Sequence, residues 1–153
     1  MYLVSACLCG VNCKYNGSNN LNNDCLNLLI DNKAILVCPE QLGGLTTPRK
    51  PSEIKENNEK IDKKKVMTKD GGDVSENFIK GAKETLRIAK LSNVHTAILK
   101  EGSPSCGCNF IYDGKFSGNK IKGEGVTCSI LRKAGIRVFS DEEYSLLIKE
   151  NNC

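Results

Sequence analysis

Nine cysteines in 153 residues is a high density, and where they fall decides what they can do. Cys7 closes the short apolar run Tyr2–Ala6. Cys38 closes Ala34–Val37. Cys106 lies in the Gly/Ser/Pro-rich loop that follows His95–Leu99. Thiolates are soft donors, and their usual partners are iron–sulfur clusters and zinc. The spacing here is neither a ferredoxin-like run nor a set of paired C-x-x-C knuckles. Spacing alone therefore leaves a cluster, a zinc-stabilised structural or binding domain, and no metal all open. A thiol redox protein working through Cys7 and Cys13, or Cys106 and Cys108, would want a C-x-x-C pair, which the chain lacks. Glu40, two residues past Cys38, could be a general base beside a metal or a solvated loop carboxylate. Ser103, close to Cys106, could orient a substrate or water, or simply make a turn. Arg49, after a proline, could bind an anion or brace its loop. His95 is the single histidine; at a strand start it reads as structural, which leaves no Cys–His pair.

The elements that must position these residues follow from periodicity. Tyr2–Ala6, Ala34–Val37, His95–Leu99 and Ile136–Phe139 read as short buried strands. Leu21–Ile30, Val74–Leu91, Val126–Ala134 and a last segment through Ile148 read as helices. Ser75 is a candidate cap for the second helix, and Gly135 a stop for the third. Ser140 with Glu143 forms a capping box for the fourth. Residues 51–72 are Lys/Glu-rich with sparse apolar positions, an excursion that could be a hairpin. Residues 110–120 read as a hairpin with Asp113-Gly114 as its turn. Strands alternating with helices predict an α/β fold, residues 1–153 forming a single domain. Its mostly parallel sheet has helices on both faces, a Rossmann-like three-layer sandwich with small hairpin inserts. In such a sheet the loops bearing Cys7, Cys38 and Cys106 leave at one carboxyl edge, where open α/β sheets bind ligands. Cysteines distant in sequence thus converge. Cys25 and Cys128 fall within helices and read as core. Cys9 and Cys108 sit in the right loops as ligands or bystanders, and Cys153 is terminal.

The totals narrow the class. The formal charge is +4 and aromatics are 5%, with no Trp. Lys60, Lys63, Lys64 and Lys65 make the excess local, a solvated loop or strand edge rather than a nucleic-acid patch. Scarce aromatics count against base-stacking single-strand binders. No apolar segment spans a bilayer, and the start MYLVSACLCG is not a signal peptide. Cytoplasmic location and reduced thiols are therefore expected.

Five stretches taken together carry a resemblance. They are Ser5–Gly10 with Cys13–Gly17; Cys38-Pro39-Glu40 with Gly43–Arg49; Leu99-Lys100 with Ser103–Gly107; Ile111–Gly114 with Phe116-Ser117-Gly118; and Gly123–Thr127. In this order, over nearly the whole chain, they resemble a bacterial family once catalogued as a domain of unknown function, some of whose members are similar to iron–sulfur-dependent thiouracil desulfidases. Cys9 and Cys108 stand where that family more often has Leu and Ser, Thr46 replaces a usual Pro, and Asn16 a usual Asp. The resemblance implies a [4Fe-4S] cluster on Cys7, Cys38 and Cys106 with one iron left open. Cys13 would be a further ligand or line the pocket, and Glu40 and Ser103 would be the catalytic polar pair. It also implies a small thiolated base as substrate, non-redox hydrolytic desulfuration as reaction, and the iron–sulfur assembly machinery as a partner.

Overall fold

The computed structural model describes residues 1–151; Cys153 lies outside them. Four short strands, β1 (Tyr2–Ser5), β2 (Ala34–Val37), β5 (Thr96–Leu99) and β8 (Arg137–Ser140), pair in parallel in the order β2-β1-β5-β8. Helices α1 (Asn23–Ile30), α3 (Ser75–Leu91), α4 (Val126–Lys133) and α5 (Asp141–Asn151) cover the sheet. Side chains alternate across it with the period of two that a strand dictates. Leu3, Ala97, Leu99 and Val138 pack with Ala89 of α3 and with Cys128 and Leu131 of α4. Val4, Ile98 and Phe139 pack on the other face with Cys25 and Leu28 of α1 and Tyr144 of α5. The expected α/β three-layer sandwich is what the chain adopts.

The inserts differ more from expectation. Residues 51–72 do form a hairpin, β3 (Ser52–Glu56) with β4 (Lys65–Thr68). Sparse as its apolar residues are, Ile54 and Val66 are fully buried, in a third core cluster with Phe78, Ala82, Ile111 and Val126. Two well-placed side chains sufficed because α3 and α4 bring the partners. Lys64, read as solvated, is buried at 4% exposure with its Nζ on Asn57 Oδ1. The second hairpin pairs β6 (Phe110–Tyr112) with β7 (Lys120–Lys122). Its connection runs over residues 113–119 rather than a tight Asp-Gly turn.

The end signals fared unevenly. Ser140 and Glu143 make the capping box reciprocally: the Ser140 N–H donates to Glu143 Oε2 (2.7 Å) and the Glu143 N–H to Ser140 Oγ (3.1 Å). Gly135 follows α4 at φ 84°. Ser75 does not cap α3. Its Oγ accepts the N–H of Val66 (2.8 Å), and its own N–H donates to Asp73. The hairpin took the hydroxyl that the helix was expected to use. A short helix, α2 (Pro39–Leu42), was not foreseen. It touches α3 backbone to backbone, since a Cβ on Gly81 would lie 1.9 Å from Pro39 O and one on Gly43 2.0 Å from Asn77 O.

Candidate active site

The chain leaves β1 for α1 and β2 on one side of the sheet, and later enters β5 on the other. The gap between β1 and β5 is thus a topological switch point at the carboxyl edge. Cys7 follows β1 within a short 3-10 turn, Ala6–Cys9. Cys38 follows β2 directly and precedes α2. Cys106 lies in the loop after β5. All three, with Cys13, Glu40 and Ser103, line one cavity of about 520 Å³. The convergence expected from strand order is present. Cys9 and Cys108 are not in that lining. The Cys9 thiol donates to Cys25 O (3.4 Å) and the Cys108 thiol to Cys106 O (3.4 Å), both buried in the core. Cys25 and Cys128 are fully buried in their helices. His95, exposed and beside Asn93, lies at the opposite end of β5.

The polar pair is assembled across the gap. Glu40 Oε1 accepts the Ser103 hydroxyl (3.4 Å), and Glu40 Oε2 accepts the Cys38 thiol (3.5 Å). Ser103 Oγ in turn accepts the N–H groups of Ser105 and Cys106, both at 3.1 Å. Its lone pairs are occupied by its own loop, so its proton is free to point at Glu40. The sulfurs have partners too. Asn20 Nδ2 donates to Cys7 Sγ and Ser5 Oγ to Cys106 Sγ, each at 3.5 Å. Hydrogen bonding from Cys13 lowers the Cys7 thiol to about 7, against the opposing effect of burial. Cys13 lowers Cys38 in the same way, also against burial. Cys13 itself is pushed far up, by Cys38 first and then Cys7, and burial pushes Cys106 up. Arg49 braces rather than presents a cation: its guanidinium donates to Cys13 O (2.9 Å) and Thr47 Oγ1 (3.1 Å).

Several positioning residues lay outside the sequence reading. Ser5 Oγ also accepts the Lys100 N–H (3.1 Å), joining β1 to β5 at the switch point. Lys100 Nζ pairs with Asp141 (3.0 Å). Glu101, 8% exposed, takes four backbone N–H groups on Oε1, those of Gly102, Cys108, Asn109 and Phe110. It thereby ties the ends of the loop that carries Ser103 and Cys106. The strand-end argument that picked out three cysteines applies equally to Ser5, Lys100 and Glu101, which stand at the same edge.

The donor set fits a cluster: the thiols of Cys7, Cys38 and Cys106 line one cavity, with hydrogen-bond donors on two of the sulfurs, as thiolate ligands of clusters commonly have.

A sequence model of the 2-thiouracil desulfurase family matches residues 2–143. The uncharacterized protein YbbK of Bacillus subtilis (strain 168) is 48% identical over 146 residues, covering 94% of this chain and 97% of its own. The solved structure of the [4Fe-4S]-dependent thiouracil desulfidase TudS superposes with a TM-score of 0.84 at 39% identity, covering 97% of each chain. With its sequence and fold matched over nearly their whole length, the chain belongs to the 2-thiouracil desulfurase family.

Proposed function

We propose that this protein removes sulfur from a thiouracil-like base by hydrolysis, with a [4Fe-4S] cluster held by Cys7, Cys38 and Cys106, the chain acting as one α/β iron–sulfur domain. The observation that carries the reading is the convergence of three strand-end cysteines on a cavity that also holds the Glu40–Ser103 pair. The likeness to TudS supports the cofactor and the substrate class. Cys13 lines the same cavity beside Cys7 and Cys38, and three ligands for four irons leave one iron open. Bound there, the cluster supplies a Lewis-acidic iron with affinity for sulfur.

The chain's own residues do the rest. Glu40 takes a proton from a water in the cavity. The water oxygen forms a bond to the thiocarbonyl carbon as the C=S bond breaks. Ser103, oriented by the N–H groups of Ser105 and Cys106, holds Glu40 by its hydroxyl, and Glu40 returns the proton to the departing sulfur. The sum is thiocarbonyl plus water giving carbonyl plus hydrogen sulfide, with no net electron transfer. Cluster loading is the task of the iron–sulfur assembly machinery. The test is anaerobic reconstitution followed by iron and sulfide counts, a visible spectrum, and assay of sulfide release from 2- and 4-thiouracil. The expected result is a brown protein with about four irons per chain that releases sulfide. A colourless, active protein with stoichiometric zinc overturns the cluster, and a loaded protein inert on both thiouracils overturns the substrate.

A further inference from the structure

Among the described residues three that are not glycine have positive φ: Asn32 at 55°, Asn93 at 52° and Phe116 at 54°. Asparagine enters this left-handed region readily, but a bulky side chain there is an outlier. Such a residue persists only where its surroundings over-determine it, and these cases gather at ligand clamps and active sites. The determinant here is Glu53 on β3. Its carboxylate is 8% exposed, and its Oε1 accepts the N–H of Gly114 (3.0 Å) and of Phe116 (3.2 Å). The loop between β6 and β7 is pinned flat on β3, where a Cβ on Gly114 would meet Ile54 O at 2.6 Å.

The pinned side chain lines the cavity. It does so in company: two of the four tyrosines, Tyr15 and Tyr112, and two of the four phenylalanines, Phe78 and Phe116, line this one space. Composition made aromatics look too scarce for stacking, but folding concentrates them where the polar pair and the thiols face. We propose that Phe116 is the face against which the planar base stacks, and that Glu53 is the positioning residue that holds it there. The proposal rests on the desulfidase reading and deepens it. An aromatic face recognises any flat heterocycle by its π-surface. The wall therefore selects planarity, and the Glu40–Ser103 side of the cavity selects what is on the ring edge.

The test uses cluster-loaded protein, calorimetric titration with uracil, and sulfide release from 4-thiouracil. Phe116→Ala is expected to weaken uracil binding and raise KM by about 5- to 150-fold, the range one lost base–aromatic stack covers. The loss falls on KM rather than kcat, and the visible spectrum is unchanged. Phe116→Tyr restores affinity. Phe116→Gly loses affinity as Ala does but melts no lower than Phe116→Ala, because glycine adopts this φ freely. Glu53→Ala weakens binding in the wild-type background and adds nothing in the Phe116→Ala background, whereas a merely structural role gives the same change in both. Wild-type affinity in Phe116→Ala, with sulfide release intact, overturns the stacking role. Equal Glu53 effects in the two backgrounds overturn its positioning role. Loaded wild-type protein that releases no sulfide overturns the desulfidase reading instead.

Discussion

Glu40 is the residue on which the hydrolytic reading can be broken most cleanly. Glutamine keeps its size and can still accept from Ser103, but it cannot take a proton at neutral pH. Glu40→Gln is expected to retain iron and spectrum while turnover falls about 10²–10⁴-fold, the usual worth of general-base assistance. Near wild-type sulfide release would return Glu40 to the role of a loop carboxylate. The ligand set is tested alongside it. Cys7→Ala, Cys38→Ala and Cys106→Ala are each expected to lose iron on reconstitution, whereas Cys25→Ala in α1 and Cys13→Ser in the lining keep it. Iron content by colorimetry reads this directly, and full iron in Cys38→Ala would sink the strand-end argument. At this scale the sequence was legible where residue type is chemically narrow. A cysteine at a strand end has few roles, so three were found. Ser5, Asn20 and Glu53 have many roles, and only their partners, far off in sequence, reveal which one each plays.

The elements hold these residues through two devices that carry no periodicity. One is the contact of α2 with α3 at Gly43 and Gly81. Gly81→Ala puts a methyl group where Pro39 O already lies, so α2 must move, and Glu40 moves with it. Overpacking of this kind costs about 1–3 kcal/mol. A matching drop in urea midpoint at unchanged m-value is expected, and unchanged stability would mean that the two helices slide apart freely. The other device is Glu101. Burial opposes its charge, but the N–H groups of Asn109, Phe110 and Cys108 outweigh it and hold the carboxyl below its usual range. A carboxyl lowered in the folded state stabilises the fold above its unfolded value, near 4.5. That contribution is lost as pH falls through the lowered value. Wild-type protein is therefore expected to lose Tm on acidification below about pH 4.5, and Glu101→Gln to be less stable at neutral pH with a flatter acid limb. Parallel profiles for the two proteins would remove Glu101 from the clamp. The alternation of strands and helices was legible because each sheet strand is apolar and each helix amphipathic. The hairpin β3–β4 was hard to read because only Ile54 and Val66 face inward, and Ser75 misled because β4 competes for its hydroxyl.

For the whole molecule, the question is how far the fold depends on what the cavity holds. The cores on the two faces of the sheet are built from Leu3, Val4, Ala97, Ile98 and the helices around them. None of these side chains needs a metal, and the parallel order follows from short strands joined by helical crossovers. Zinc fingers unfold without their ion because they have no such core. Here only the three loops that carry the thiols would gain order from it. Cys7, Cys38 and Cys106 come from three separate strand ends, so a cluster bound to all three would tie β1, β2 and β5 together at one edge. A group that binds only the folded state adds stability in proportion to its saturation, about 2.7 kcal/mol at 100 times its Kd. At this chain length each kcal/mol is worth about 2–4 °C. Anaerobic removal of iron by a chelator is therefore expected to leave the far-ultraviolet circular dichroism of the α/β fold intact while Tm falls by about 5–11 °C. The loss should be recovered on reconstitution. It should be absent in Cys38→Ala, which has no cluster to lose. Collapse of the helical signal on chelation would show that the cluster organises the sheet itself. An unchanged Tm would show that the three loops are already fixed by Arg49, Glu101 and Ser5 without it.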